Sequence, residues 1–165
     1  MKILGIDPGL DSTGYGIIEM ERDRVRMQDC GVITSSHKVS LPDRLLTLFR
    51  QMEDVIRHAT PDVAVIEELY AHYRHPSTAI LMGHGRAAAC LACRLNNVAI
   101  RGYKPTRVKK AVVGKGNATK EQVAQMVAAH LGLPEFSGPN DITDALALAL
   151  TYVFVEGKKQ VIARL

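Results

Sequence analysis

Apolar positions along this chain follow two rhythms, and the switches between them predict the order of its elements. Ile3, Leu4 and Ile6 make a short apolar run, so 2–7 reads as a strand broken by the turn at Pro8 and Gly9. The segments 14–19 and 25–34 continue as strands linked around Asp23, and three strands in succession predict an antiparallel meander. The period then changes to three and four residues. Leu45, Leu48, Phe49, Met52, Val55 and Ile56 predict a helix over 42–58, closed by Pro61. A short apolar run at 63–66, a polar loop through His75, a helix over 76–97 and a strand over 98–103 then predict a parallel crossover.

The remainder reads as helical. Thr119 and Gln122 form a capping-box pattern, and Val123, Met126, Val127, His130 and Leu131 line one face until Gly132 and Pro134 end it. A last helix is expected from about Asn140. Its stretch 145–150 is wholly apolar, so it must be enclosed on most sides, and its only acids stand in the first turns. The expected fold class is α/β: a mixed five-stranded sheet, antiparallel meander plus parallel crossover, flanked by helices. We expect one domain over 1–156 and a basic tail, 157–165, free to be disordered.

Composition narrows the setting. A chain of 165 residues, 47% hydrophobic, can bury roughly 70% of its unfolded surface without a metal or disulfide to hold it. With 21 Lys and Arg against 17 Asp and Glu, the net charge is +4 and the pI near 9.1, which favours an anionic partner such as nucleic acid. The start of the chain lacks the pattern of a secretory signal, and no run of 18 apolar residues occurs, so a cytoplasmic protein without a membrane partner is expected. Three cysteines, Cys30, Cys90 and Cys93, suggest no disulfide framework. The Cys90/Cys93 pair lies in a helical stretch with no second pair to complete a zinc site, which favours core packing.

Four acids carry the candidate chemistry: Asp7 and Glu67 at the ends of apolar strands, and Asp141 with Asp144 three residues apart at the start of the last helix. Each has an ordinary explanation, since Asp7 can open a turn, Glu67 beside Glu68 can form a solvated edge, and the last pair can cap a helix. Together they stand at element ends, where open α/β sheets build their sites. At about 4 Å and an effective dielectric near 20, each like-charge pair costs on the order of 4 kcal/mol, so a cluster of such acids calls for divalent metal.

Cations are concentrated elsewhere. The segment 101–120 holds Arg101, Lys104, Arg107, Lys109, Lys110, Lys115 and Lys120 with no acid among them, a third of the chain's positive charge in twenty residues. Each phosphate such a face neutralises steepens the salt dependence of log K by about 0.9. Tyr70, His72, Tyr73, Arg74 and His75 form a loop too polar for a core and too aromatic for a plain linker, on which bases can stack. His72 and His75 have the spacing of metal ligands but no third partner. Gly83, Gly85 and 87–89 in the following helix permit close backbone approach, either to a partner helix or to the chain's own sheet. Gly83, Gly85 and Ala88 also mimic a dinucleotide fingerprint, but the acidic residue expected downstream is missing, so no nucleotide cofactor is expected.

The run Gly5-Ile6-Asp7-Pro8-Gly9 with Thr13-Gly14-Tyr15-Gly16, then Val65-Ile66-Glu67-Glu68, then Asp141-Ile142-Thr143-Asp144-Ala145-Leu146-Ala147, resembles the RuvC family of Holliday-junction resolvases. Val112-Val113-Gly114-Lys115-Gly116 followed by Lys120 resembles that family's DNA-binding segment, here expected as a basic turn. The resemblance implies an RNase H-like fold, a homodimer, and an endonuclease that resolves four-way junctions by paired symmetric nicks, leaving 5′-phosphate and 3′-hydroxyl ends in DNA recombination and repair. It places catalysis and metal binding on Asp7, Glu67, Asp141 and Asp144, with two Mg²⁺ per site and Mn²⁺ as a substitute; the division of labour between Asp141 and Asp144 stays open. It also puts DNA contacts at Tyr70, Lys109, Lys120 and the segment holding Lys115; Tyr73 and Arg74 of the aromatic loop and Lys110 of the basic face are expected to join them, with Arg86 facing either DNA or an interface. RuvA and RuvB, the branch-migration proteins, are implied partners. The alternatives are another RNase H-like nuclease, a non-catalytic junction-binding module and, less compatible with one compact domain, an actin or sugar-kinase type ATPase.

Overall fold

The computed structural model describes residues 1–22, 24–68, 76–135 and 138–157. Its five strands are β1 (Lys2–Asp7), β2 (Ser12–Glu21), β3 (Arg24–Thr34), β4 (Val63–Glu67) and β5 (Ala99–Tyr103), ordered β3-β2-β1-β4-β5 in one sheet. β1, β2 and β3 pair antiparallel, while β4 joins β1 and β5 joins β4 in parallel. This is the meander and crossover the sequence predicts.

Helices cover both faces. α1 (Leu41–Ala59) and α2 (Pro76–Leu95) lie on one side; α3 (Pro105–Val113), α4 (Lys120–Leu131) and α5 (Asn140–Tyr152) lie on the other. Side chains of a strand alternate between faces, so Leu4 and Ile6 of β1 join Leu48, Met52 and Ile56 of α1, whereas Ile3 joins Val123, Val127 and Leu146 from the opposite helices. Each such fully buried aliphatic side chain contributes about 1.5–3 kcal/mol relative to exposure. Cys93 is buried in α2 as core, and all three cysteines are free thiols. No helix among the described residues is long and apolar enough to cross a membrane.

Local signals account for the ends of the helices. Ser40 caps α1 by accepting from the Asp43 amide, and Thr60 ends it in the left-handed region at φ 48°. The reciprocal capping box of Thr119 and Gln122 starts α4, and Gly132 stops it at φ 68°. α2 ends at Leu95, two residues short of the predicted boundary, as the chain turns through Asn97 at φ 57°. The basic segment differs more from expectation. Its first half is helix α3, held to the core by Val108 and Val112 and ended by Gly114 at φ 87°. α5 continues into a π-helical turn, Val153–Gly157, that the periodicity does not announce.

Candidate active site

Strand register places the first two acids. β1 and β4 run parallel with Ile6 opposite Ile66, so Asp7 and Glu67, the next residue of each, end neighbouring strands on the same side. Alternation then fixes their face. Ile3 and Val63 belong to the core under α3, α4 and α5, and Asp7 and Glu67 lie four residues on, so they face α5 as well.

Absent side chains place the other two. α5 lies directly on β1 and β2. A Cβ on Gly5 would stand 1.8 Å from the Ala145 carbonyl oxygen, and one on Gly14 would stand 2.1 Å from that of Asp141. Real Cβ atoms do not approach so closely; only glycine lets the helix settle on the strands at this depth. The first turns of α5 thereby come down beside the end of β1. N-terminal capping, the ordinary explanation for these acids, does not describe them: the cap is Pro139, with no side-chain cap bond. Instead Ser12 donates its hydroxyl to Asp141 Oδ2, and Lys120 Nζ pairs with Asp144 Oδ2 at 3.1 Å.

The four carboxylates act on one another. Burial pushes the Asp7 pKa up to about 7, reinforced by repulsion from Asp144, Glu67 and Asp141 and opposed by Lys120. Glu67 is also raised, first by burial and then by Asp144, with Lys120 and Lys109 pulling it back. Lys120 is held more firmly protonated, chiefly through its hydrogen bond to Asp144. Two lysines of the basic segment therefore stand among the acids as counter-charges.

Among the described residues, no three His, Cys, Asp or Glu side chains are gathered tightly enough to form a ready-made metal cage. The donor set nonetheless fits a hard divalent cation. All four groups offer carboxylate oxygen, and Mg²⁺ typically takes one or two carboxylates and keeps several waters, with substrate phosphate completing the shell. Asp7 is raised first by burial and then by three neighbouring carboxylates that Lys120 only partly offsets, so a bound cation would relieve it.

Other expected positions separate into groups. Arg86 is half-buried and donates from Nε to the Glu67 carbonyl at 3.1 Å, fixing the end of β4. Lys110 and Lys115 are exposed, and Lys104, Arg107 and Lys110 share an open groove with Gly116. Tyr70, Tyr73 and Arg74, with His72 and His75, lie outside the described residues. The close approach expected at Gly85 is made within the chain, where its α-carbon faces the Gly9 backbone.

Two features escaped the sequence reading. Ser12 gives no signal, being one hydroxyl in a turn. Arg44 gives a clear one: it heads the buried stripe Arg44, Leu48, Met52 and Ile56 at four-residue spacing, a charge in line with a core. Its Nε donates to Ser35 Oγ at 3.1 Å, and its Nη2 pairs with Asp11 Oδ1.

Comparisons with known proteins bear on family and fold. The family model described as "Crossover junction endodeoxyribonuclease RuvC" matches residues 3–152. A protein of that description from Rhodopirellula baltica is 42% identical over 148 residues, 90% of this chain and 83% of the relative. One from Alkaliphilus oremlandii is 43% identical over 152 residues, 92% of each. The Thermus thermophilus RuvC structure superposes with a TM-score of 0.89 at 31% identity, covering 96% of this chain and 97% of that one. T. thermophilus RuvC in complex with Holliday junction substrate gives 0.90 at 31% identity, over 96% of both chains.

Proposed function

The chain belongs to the RuvC family of crossover junction endodeoxyribonucleases, with the RNase H-like fold of its solved relatives, and we propose that Asp7, Glu67, Asp141 and Asp144 are its cutting centre. The observation that carries this is geometric: Asp7 and Glu67 end neighbouring parallel strands on the face against which α5 brings Asp141 and Asp144, and burial followed by repulsion from those three acids raises the Asp7 pKa.

The family is divalent-metal dependent, and Mg²⁺ is the ion proposed here, with Mn²⁺ as its substitute. Bound to these oxygens, two such ions would supply an activated water and charge stabilisation for an in-line displacement at phosphate. The chain's own groups supply the rest. Lys120 and Lys109 balance part of the negative charge before substrate arrives, and Arg86 keeps the Glu67 backbone from drifting. Asp141 and Asp144 stay fixed relative to Asp7 because α5 rests on glycine.

Substrate is a four-way DNA junction, as in the T. thermophilus complex, nicked symmetrically on two strands to leave 5′-phosphate and 3′-hydroxyl ends. Lys109, Lys110, Lys115 and Lys120 are proposed to meet its phosphates, joined by Lys104 and Arg107 along α3, and Tyr70, Tyr73 and Arg74 to meet bases near the crossover. Two symmetric cuts call for two centres, so the unit is proposed to be a homodimer. α2 offers the surface: Ile80, Leu91 and Leu95 are 60%, 59% and 67% exposed on its outer side. The proposed organisation is one domain over 1–156 with a basic tail, acting in the cytoplasm beside RuvA and RuvB.

The test is a gel with synthetic duplex, RNA–DNA hybrid and four-way substrates in Mg²⁺. The intact protein should nick the four-way substrate alone, at symmetric positions, and Asp7→Asn should abolish cutting while still shifting the junction. Metal-dependent cutting by that variant, or equal cutting of duplex, would refute the assignment.

A further inference from the structure

The turn between Asp7 and β2 is pinned along its length. Thr13, fully buried, closes its first half: the Thr13 hydroxyl donates to the Gly9 carbonyl at 2.6 Å and accepts from the Gly9 amide at 3.2 Å. Gly85 of α2 packs against the Gly9 backbone. The second half is held from α1 and the end of β3. Ser35 Oγ donates to the Leu10 carbonyl at 2.5 Å, the Ser35 amide donates to the Asp11 carbonyl at 3.1 Å, and Arg44 grips both the Ser35 hydroxyl and the Asp11 carboxylate. Arg44 and Ser35 are each only 9% exposed, whereas the Asp11 carboxylate is 55% exposed and also faces His37 Nε2 at 3.6 Å, so the network is buried at its Arg44–Ser35 end and opens to solvent at Asp11. The next residue is Ser12, whose hydroxyl reaches Asp141.

The two acids of α5 are thus held by different chemistry. Asp144 is held by the full charge of Lys120, which competes with any cation for the same oxygen. Asp141 is held by a neutral hydroxyl, which orients a carboxylate and leaves its charge uncompensated. Hydrogen bonds of this second kind, made to a ligand by a group that does not itself touch the metal, govern how ready a site is for its ion.

We propose that Ser12 is a positioning residue: its hydroxyl, carried by the clamped turn, fixes the Asp141 carboxylate so that the site meets its divalent cation already arranged. The inference rests on the metal-site reading above and goes beyond it in assigning a role to Ser12 and, through Asp11, to Arg44. Lys120 acts in the opposite sense, as the charge the cation must displace from Asp144.

The experiment is calorimetric titration of the DNA-free protein with Mn²⁺, alongside the Mn²⁺ concentration giving half-maximal junction cutting. Ser12→Ala should weaken Mn²⁺ binding and raise the half-maximal concentration about tenfold. Ser12→Thr, which keeps the hydroxyl, should stay within about twofold of the parent, and Lys120→Gln should bind Mn²⁺ more tightly in the absence of DNA. In an Asp141→Asn background the Ser12→Ala effect on binding should vanish, an outcome general damage to the turn would not give. Thermal melting of each variant without metal verifies folding. Unchanged Mn²⁺ binding in Ser12→Ala, or an equal loss in the Asp141→Asn background, overturns the inference while leaving the metal-site reading intact. Failure of the parent protein to bind Mn²⁺ at all overturns both.

Discussion

The two faces of the sheet are closed in different ways. Under α5 the strands present glycine, and helix backbone rests on strand backbone at Gly5 and Gly14. Under α1 the contact is side chain to side chain, with Leu4 and Ile6 meeting Leu48 and Met52. Spacing set by interdigitated aliphatics can shift when a side chain changes rotamer; spacing set by backbone atoms cannot. The acids all belong to the face seated on backbone contacts, while both faces carry a buried aliphatic core and the α1 and α2 face adds an exposed apolar stripe on α2.

The largest test of this contrast is Gly5→Val. With the ideal Cβ 1.8 Å from the Ala145 carbonyl, the helix must lift or the fold fail, so destabilisation of about 4 kcal/mol or more is expected in urea unfolding. Near-parental stability would mean that α5 is not seated as described. On the other face, Leu48→Ala, at a side chain only 1% exposed, should cost about 2–4 kcal/mol. It should leave Mn²⁺ affinity within about twofold; a large loss of affinity would erase the distinction between the faces.

Asp7→Asn should stabilise the metal-free protein, and only above a certain pH. Asp7 titrates near 3.8 when unfolded and about 7 when folded, so the folded state binds the extra proton between those values. Stability therefore falls as pH rises from about 4 through 7, and below the unfolded value no penalty exists. Glu67, shifted the same way, adds to the slope. At pH 8 the substitution should raise stability by on the order of 4 kcal/mol, and at pH 4 by well under about 1 kcal/mol. A pH-independent gain would place its origin outside the charge cluster. The smallest expected effect on folding is at Leu91→Ser, where exposure keeps the change within about 0.5 kcal/mol. Sedimentation should nonetheless show loss of the dimer, and a monomeric parent would remove α2 from that role.

Legibility in the sequence followed the length and regularity of each signal. α1 was readable from its apolar spacing, α4 because spacing and a capping box agreed, and the enclosure of α5 because an apolar run has no other destination. α3 was hidden, since nine residues with only Val108 and Val112 buried leave almost no period to detect among the cations. That Asp7 and Glu67 share one face follows from strand alternation, which sequence shows once the register is granted. The depth at which α5 sits does not follow: Gly5, Gly14 and Gly16 read as strand positions within a motif, and their work as a seat is visible only with the helix on them. Ser12 was invisible because its partner lies 129 residues away. Arg44 was visible in principle, a cation at the head of an aliphatic stripe, and its reach to Asp11 depended on the loop conformation.

Seating two of the acids on α5 also sets the moment at which the protein becomes dangerous to DNA. Synthesis runs from the N-terminus, and domains fold as their segments emerge. A nascent polypeptide grown only through Gly132 has the residues of β1, β4, α3 and α4 but lacks Asp141, Asp144 and the α5 side chains Leu146 and Leu150 that complete the core on that face. On the proposed assignment of the four acids, cutting competence would arrive only with the docking of α5, after the rest of the sheet has been synthesised.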